Sequence, residues 1–251
     1  MIMIVAQREL RSLFLSPLAW TILAVVQAIL AYMFFSQIEF FMQIQPRLAG
    51  MQAAPGITEI IVAPLFGNAA VVLLLIVPLL TMRLISDERR NQTLSLLFSA
   101  PLSMTEIVIG KFLGITAFLS LMMLMILLMP LSLLSGGTLD FGMLASACLG
   151  LLLLLSSFTA LGLYMSSLTA QPTIAAISTF GALLLLWILD WGSGSAEASG
   201  GGVMAYLSLV RHYEALLKGA FNSADIVYYL LFIATFLILS VRRLDADRVQ
   251  S

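Results

Sequence analysis

Residues 64–85 read PLFGNAAVVLLLIVPLLTMRLI, and the one ionisable side chain among them, Arg83, lies near the end. A helix of this length, at about 1.5 Å per residue, crosses the roughly 30 Å hydrocarbon core of a bilayer. Stretches of the same character recur along the chain. They predict six membrane spans, near residues 18–38, 64–85, 112–134, 143–168, 173–191 and 226–241. The expected fold is therefore an all-α integral membrane protein in which residues 1–251 form a single transmembrane domain.

Composition supports a location in lipid. The chain is 61% hydrophobic and only 10% charged, with a mean hydropathy of +1.07, whereas soluble globular domains have about 25% charged residues. The net charge of −1 gives no reason to expect a nucleic-acid partner. Cys148 is the only cysteine and His212 the only histidine, so a disulfide framework or a Cys/His metal site within the chain is excluded.

The distribution of basic residues predicts the orientation of the spans. With six spans, nine of the twelve Lys and Arg residues lie on the side that holds both termini: Arg8, Arg11, Arg83, Arg89, Arg90, Lys111, Arg242, Arg243 and Arg248. This bias places both termini in the cytoplasm. Spans four and five are separated only by residues 169–172, so their fusion into one span is an alternative that would leave five. Pro172 favours two spans, because proline suits the first turn of a helix.

The side chains inside the predicted spans indicate which kinds of membrane protein are excluded. No Asp, Glu, Lys, Arg or His lies deep inside a predicted span, which argues against an ion-coupled pump and against an intramembrane protease. Small residues recur there at helical spacing, a pattern that favours close helix packing. The pairs are Gly110/Gly114, Ser146/Gly150, Ser156/Ala160 and Ser178/Ala182.

Residues 2–15 predict an amphipathic helix at the cytoplasmic interface. Ala6, Leu10, Leu13 and Phe14 share its apolar face, and Arg8, Arg11 and Ser12 lie on another face. Such a helix could serve a specific role in the protein or only anchor the topology, and the pattern does not separate the two.

Residues 86–101 predict a short cytoplasmic helix. Ser86 can cap it, and Asp87 and Glu88 in its first turn suit the helix dipole. An apolar stripe of Leu94, Leu97, Phe98 and Pro101 follows, and Pro101 ends the helix. This stripe requires either a partner surface or the membrane headgroups to cover it. Ser103 and Glu106 then form a capping box that starts the next helix.

A second amphipathic segment lies outside the cell, between spans five and six. The Gly/Ser-rich residues 192–202 have the composition of a flexible linker. From Tyr206 to Phe221 apolar residues, including Tyr213, recur at helical spacing, which predicts a helix at the outer interface or one that dips into the membrane and turns back. Arg211 and His212 are placed on its polar faces; a catalytic or pH-sensing pair of His212 with Glu214 is the less favoured interpretation.

Enzyme motifs are absent from the sequence. It contains no Gly-x-x-x-x-Gly-Lys-Ser/Thr phosphate loop, no His-Glu-x-x-His and no Gly-x-Ser-x-Gly. The chain is therefore not expected to be an enzyme, and in particular it cannot hydrolyse ATP alone.

Several short segments occur in a characteristic order. They are RELRSLFLSP at 8–17, TLSLL at 93–97, APLS at 100–103, EIVIGKF at 106–112, YLS at 206–208, RHY at 211–213, KG at 218–219 and DIVYY at 225–229. Their order and spacing resemble the ABC-2 family of transporter permeases, in the branch that includes gliding-motility-type and copper-maturation-type permeases. The resemblance covers nearly the whole chain.

The resemblance implies a permease of the bacterial cytoplasmic (inner) membrane that works with a second copy or a close homologue. Two cytoplasmic ABC ATPase subunits would bind ATP and Mg, so this chain would hold no cofactor or metal, and an accessory periplasmic or membrane-anchored protein is a further conceivable partner. It also implies three functional segments. These are an elbow helix (Arg8, Glu9, Arg11, Phe14), an ATPase-coupling helix (Asp87, Glu88, Arg89, Arg90, Thr93, Leu94, Leu97, Phe98, Pro101) and an outer helix (Tyr206, Arg211, His212, Tyr213).

The coupling segment departs from the family pattern Glu-x-x-x-Gly-Thr-Leu-Glu. Glu88, Thr93 and Leu94 match it, but Gln92 replaces the usual Gly and Ser95 the usual Glu.

The expected function is that of the permease subunit of an ATP-driven exporter. A lipid, lipid-linked or peptide cargo fits the apolar spans better than a small ion does. The alternative is a membrane scaffold that transports nothing, and ATP-dependent translocation would discriminate between the two.

Overall fold

The computed structural model describes residues 1–48, 56–93, 103–135, 139–193 and 207–250. Within these ranges six helical segments are long and apolar enough to cross a membrane: Pro17–Pro46, Thr58–Arg90, Met104–Leu134, Phe141–Leu168, Pro172–Leu189 and Ser223–Arg248. Spans four and five are separate helices. The six-span prediction is therefore confirmed, and the five-span alternative is wrong.

The helices are numbered in chain order. They are α1 (Ile2–Leu15), α2 (Pro17–Leu48), α3 (Ala63–Thr81), α4 (Ser86–Arg90), α5 (Met104–Leu131), α6 (Phe141–Leu168), α7 (Pro172–Ser193), α8 (Leu209–Leu217) and α9 (Ser223–Gln250). A π-helical turn, Thr58–Val62, precedes α3, and a 3-10 turn, Ser132–Ser135, follows α5. The end of the bundle that holds α1, α4 and the C-terminal end of α9 is called the inner end, following the predicted orientation.

Helix starts follow local sequence signals. The predicted capping box is present at α5, where the Ser103 hydroxyl accepts from the Glu106 N–H and the Glu106 carboxylate accepts from the Ser103 N–H. At α6 the Asp140 carboxylate accepts from the N–H groups of Gly142 and Met143, at 2.9 and 3.2 Å. Each cap satisfies N–H groups that the first turn leaves without a helical partner.

Helix α6 lies at the centre of the bundle. In its most apolar stretch of 18 residues 78% are buried, against 22% in the corresponding stretches of α7 and α9. It packs against α3, α5, α7, α8 and α9. Spans five and six therefore present most of their surface to the surroundings of the chain.

Helix α1 packs tightly against α5, and two glycines permit the contact. A Cβ at Gly114 would lie 2.7 Å from the Glu9 Cβ, and one at Gly110 would lie 2.6 Å from the Val5 Cβ. Val5 and Ala6 are buried in this contact, while Arg8 and Arg11 are exposed. The predicted amphipathic face is confirmed, and the Gly110/Gly114 pair packs a second helix as expected.

The predicted helix over residues 86–101 is wrong in its length. Helix α4 ends at Arg90, because Gln92 adopts a φ of +56° that an α-helix cannot continue through. The predicted Ser86 cap is also wrong. Ser86 is the first residue of α4 and is fully buried, and its hydroxyl donates to the Met82 carbonyl instead. The apolar stripe Leu94, Leu97, Phe98 and Pro101 lies outside the described residues.

Candidate functional site

A cluster of charged side chains fixes α4 at the inner end. Lys111 of α5 is only 2% exposed, and its Nζ contacts Glu88 Oε1 of α4 at 2.8 Å and Glu9 Oε2 of α1 at 3.4 Å. Arg8 Nη2 approaches the same Glu88 oxygen at 3.5 Å. A buried ammonium group needs paired charges to offset its loss of hydration. Glu88, Lys111, Glu9 and Arg8, the inner charge cluster, therefore join α4 to α1 and α5.

The start of α4 is capped from another span. The Ser166 hydroxyl of α6 accepts from the N–H groups of Ile85 and Ser86, each at 3.1 Å, and donates to the Met82 carbonyl at 3.0 Å. Ser166 is fully buried. One side chain of the central helix thus satisfies three backbone groups in the turn between α3 and α4, and this replaces the local cap that the sequence suggested.

A second ion pair joins α4 to α9. The Arg89 guanidinium contacts the Asp247 carboxylate; the Arg89 side chain is 20% exposed and that of Asp247 16%. Arg243 contacts the same carboxylate at 3.6 Å. Because Glu88 and Arg89 are neighbours, α4 is bonded to α5 through one residue and to α9 through the next. Movement of α4 would act directly on two spans.

The end of α4 is a Schellman motif. The Thr93 N–H donates to the Glu88 carbonyl at 3.0 Å, and the Gln92 N–H donates to the Arg89 carbonyl at 3.3 Å. This pairing requires a left-handed residue at the position of Gln92. Helix α8 ends in the same motif with Gly219 at a φ of +76°. The family pattern has Gly where this chain has Gln92, and the backbone conformation explains that preference.

Helix α8 packs into the outer end of the bundle through its buried face. The Tyr213 hydroxyl donates to the Phe66 carbonyl of α3 at 2.9 Å, and the Ser146 hydroxyl of α6 donates to the Leu216 carbonyl at 2.8 Å. Burial raises the pKa of Tyr213 well above its usual range, so its hydroxyl remains a donor. A Cβ at Gly150 would lie 2.9 Å from the Leu216 Cβ, which makes the Ser146/Gly150 pair the surface on which α8 rests.

His212 is not on a polar face, contrary to the prediction. It is 6% exposed, its Nδ1 lies 2.6 Å from Asp225 Oδ1 of α9, and its ring stacks on Tyr228 with 4.1 Å between centroids. The Tyr229 hydroxyl donates to the Leu209 carbonyl at 2.7 Å. These contacts bond α8 to the start of α9. The partner of His212 is therefore Asp225, thirteen residues away, and not the adjacent exposed Glu214.

The comparisons with known proteins agree with this architecture. A family model described as "ABC-2 family transporter protein" matches residues 3–248, nearly the whole chain. The chain belongs to the ABC-2 transporter family. No curated protein matches it. As an ABC-2 protein with six apolar helices it is a multi-pass membrane permease subunit, and its family implies an ATPase partner.

The structure places the predicted site residues of this ABC-2 permease in two groups. At the inner end, Arg8, Glu9, Glu88, Arg89 and Thr93 take part in the contacts described above. Arg11 and Arg90 are exposed at the same end. Phe14 packs edge-on against Trp20 and Phe118, with centroids 5.7 and 5.6 Å apart.

At the outer end, Arg211 is exposed, whereas His212 and Tyr213 are buried. Tyr206 lies outside the described residues. The two groups are at opposite ends of the ABC-2 permease, and α9 runs between them.

Three residues at these ends were missed by the sequence analysis. The sequence marks Lys111 only as one of the basic residues on the side of the termini, and it indicates no pairing for Asp225 or Asp247. A signal for Lys111 existed, because it lies between Gly110 and Gly114, which predicted close contact with another helix. The two aspartates meet partners 13 and 158 residues away, and no local pattern indicates such contacts.

Proposed function

We propose that this ABC-2 permease is the membrane subunit of an ATP-driven exporter, and that α4 with the residues after it receives the movement of a separate cytoplasmic ATPase. The observation that supports this most directly is the attachment of α4 to two spans at once, through Glu88–Lys111 and Arg89–Asp247. A helix that only rested on the headgroups would not need these partly buried ion pairs, because desolvation makes them costly to form.

Helix α9 provides a route from α4 to the outer end. It contains 28 residues and neither proline nor glycine, so it forms a continuous rod of about 42 Å. Asp247 near one end contacts Arg89, and Asp225 near the other contacts His212 of α8. In the proposed mechanism a displacement of α4 shifts α9, and α9 moves α8 at the outer end of the substrate pathway.

We place the protein in the bacterial inner membrane with both termini in the cytoplasm. The excess of Lys and Arg at the inner end supports this orientation, because such residues are retained on the cytoplasmic side. We further propose that two permease chains, or one with a close homologue, assemble with two ATPase subunits. In the described part of the chain α6 fills the centre of the bundle, so a large cargo would need a pathway formed between two chains.

The test of the ATPase contact is Leu97→Asp in the apolar stripe that the sequence predicts after α4. A charge in a desolvated interface should lower affinity for the ATPase about a hundredfold. Co-purification of the ATPase is compared at equal permease levels between the unchanged protein and the variant. Ser99→Asp adds the same charge on the predicted opposite face and should leave binding intact.

Retained binding by Leu97→Asp, with ATP turnover unchanged, would remove the support for this contact.

A second measurement, of cargo movement, decides between a transporter and a scaffold. ATP-dependent movement of cargo by the reconstituted complex is expected for an exporter. Its absence in a complex that still hydrolyses ATP would favour the scaffold.

A further inference from the structure

A cavity of about 420 Å³ opens beside the inner charge cluster. It lies between α1, the start of α2, the inner end of α3, and α4. Lys111 contributes to its wall, but the ammonium group already contacts both Glu9 and Glu88. Lys111, Glu9 and Glu88 are therefore already paired with one another and are not expected to bind an additional ligand.

Three other charged groups line the cavity. Arg8 already contacts Glu88 at 3.5 Å, and the other two have no partner in the described part of the chain. The side chains of Arg83 and Asp87 have no hydrogen-bond or ion-pair partner among the described residues, and they do not pair with each other. Arg83 is exposed and Asp87 is half-buried. The cavity therefore offers one unpaired cationic donor, in the turn that joins α3 to α4, and one unpaired anionic acceptor, in the first turn of α4.

Apart from Ser12 and Ser16 the remaining wall is apolar, and it continues onto the exposed surface of the spans. Leu13 and Leu80 lie within it, and Leu18 and Leu79, which also line it, are 37% and 43% exposed. Leu18 and Leu79 belong to the first two spans, so their exposed side chains are available to contact lipid hydrocarbon. A ligand that fits must carry both charges at one end and hydrocarbon at the other.

We propose that the cavity binds a zwitterionic phospholipid with a primary ammonium group, that is, a phosphoethanolamine headgroup. Its phosphate accepts from the Arg83 guanidinium, its ammonium donates to the Asp87 carboxylate, and its acyl chains lie along Leu18 and Leu79. Three basic and three acidic side chains line the cavity (Arg8, Arg83 and Lys111 against Glu9, Asp87 and Glu88). Their charges cancel, so the lining itself carries no net charge that would favour an anionic lipid.

Two other phospholipids differ from phosphatidylethanolamine only in the headgroup and therefore test the two proposed contacts. Phosphatidylcholine has the same net charge and the same phosphate, but its quaternary ammonium has no N–H to donate to Asp87. Phosphatidylglycerol keeps the phosphate and lacks any cation. Each loses a charge-assisted hydrogen bond, which corresponds to about tenfold or more in affinity.

The experiment is native mass spectrometry of the purified full chain, titrated with the three lipids carrying identical acyl chains. We expect phosphatidylethanolamine to bind about tenfold more tightly than either of the others. Asp87→Asn should abolish this preference over phosphatidylcholine by weakening phosphatidylethanolamine far more, since only the primary ammonium donates a hydrogen bond to this side chain. Arg83→Gln should weaken all three about tenfold, and Arg83→Lys should retain most of the binding because it keeps a charged donor.

Matched controls come from α9, where Arg242 and Asp245 are exposed and lie outside the cavity. Arg242→Gln and Asp245→Asn should bind all three lipids as the unchanged protein does. Equal affinity of the unchanged protein for phosphatidylethanolamine and phosphatidylcholine would overturn the proposal. So would unaltered binding by both cavity variants.

A soluble ligand with the same headgroup is distinguished in the same titration. Free phosphoethanolamine and inorganic phosphate lack the acyl chains that the leucine wall would contact, and neither should displace the lipid at millimolar concentration. Displacement by phosphoethanolamine would identify a soluble metabolite site and overturn the lipid assignment. The measurement involves neither an ATPase nor translocation, so its outcome is independent of the proposed transport function.

Discussion

Gln92 holds a backbone conformation that costs an L-residue about 1–2 kcal/mol and costs glycine little. Its φ is +56°, at the left-handed position of the Schellman motif that ends α4. We predict that Gln92→Gly stabilises this turn by about 0.5–1 kcal/mol, since the larger entropy of unfolded glycine offsets part of the gain. Hydrogen–deuterium exchange over residues 86–93 should slow a few-fold. Gln92→Val should accelerate it, and equal exchange in the two variants would contradict the assignment.

At the scale of elements, the contact between α4 and α9 depends on Asp247, which pairs with Arg89 and Arg243. Asp247→Ala leaves the partly buried Arg89 without a carboxylate, at a cost of about 2 kcal/mol. We predict that the ATPase still binds but that transport per ATP hydrolysed falls several-fold, because α4 no longer moves α9. Asp245→Ala, at an exposed position two residues earlier, is the control. An unchanged transport-to-ATP ratio for Asp247→Ala would exclude α9 as the transmitting element.

The packing of α8 against α6 is a second contact between elements, and it requires the absence of a side chain at Gly150. A Cβ there would lie 2.9 Å from the Leu216 Cβ, whereas a Cβ at Gly67, which also faces α8, would lie 4.0 Å from the Leu217 Cδ1. We predict that Gly150→Ala destabilises the α8 contact by about 1–3 kcal/mol through overpacking. Exchange over residues 209–217 should become faster. Gly67→Ala should change it little, and similar effects of the two substitutions would contradict the packing argument.

At the scale of the whole molecule, spans five and six are the least buried, and span five also carries an open small-residue position. A Cβ at Gly181 would meet nothing within 4 Å in the described part of the chain. We predict that span five contacts its counterpart in a two-fold symmetric pair. In a Cys148→Ser background, Gly181→Cys should cross-link two permease chains upon mild oxidation, whereas Leu231→Cys on span six should not. A detergent-corrected mass of one permease chain in an ATPase-active complex would rule out the pair.

The sequence by itself determined the number of spans, the amphipathic character of α1, the capping box at Ser103 and the close packing at Gly110, Gly114 and Gly150. Each follows from a local property, namely the length of an apolar run, helical periodicity or a cap within four residues. The period of a helix and the thickness of a bilayer convert such patterns into structure without reference to the rest of the chain.

Only the tertiary structure decided where the polar groups find partners. Ser166 caps α4 in place of Ser86, Lys111 is buried between two carboxylates, and His212 pairs with Asp225 instead of facing solvent. A polar group in a bundle must be paired wherever its helix buries it, and its partner is set by which helices meet. That arrangement depends on contacts between residues far apart in the chain, which the local pattern of a single sequence does not specify.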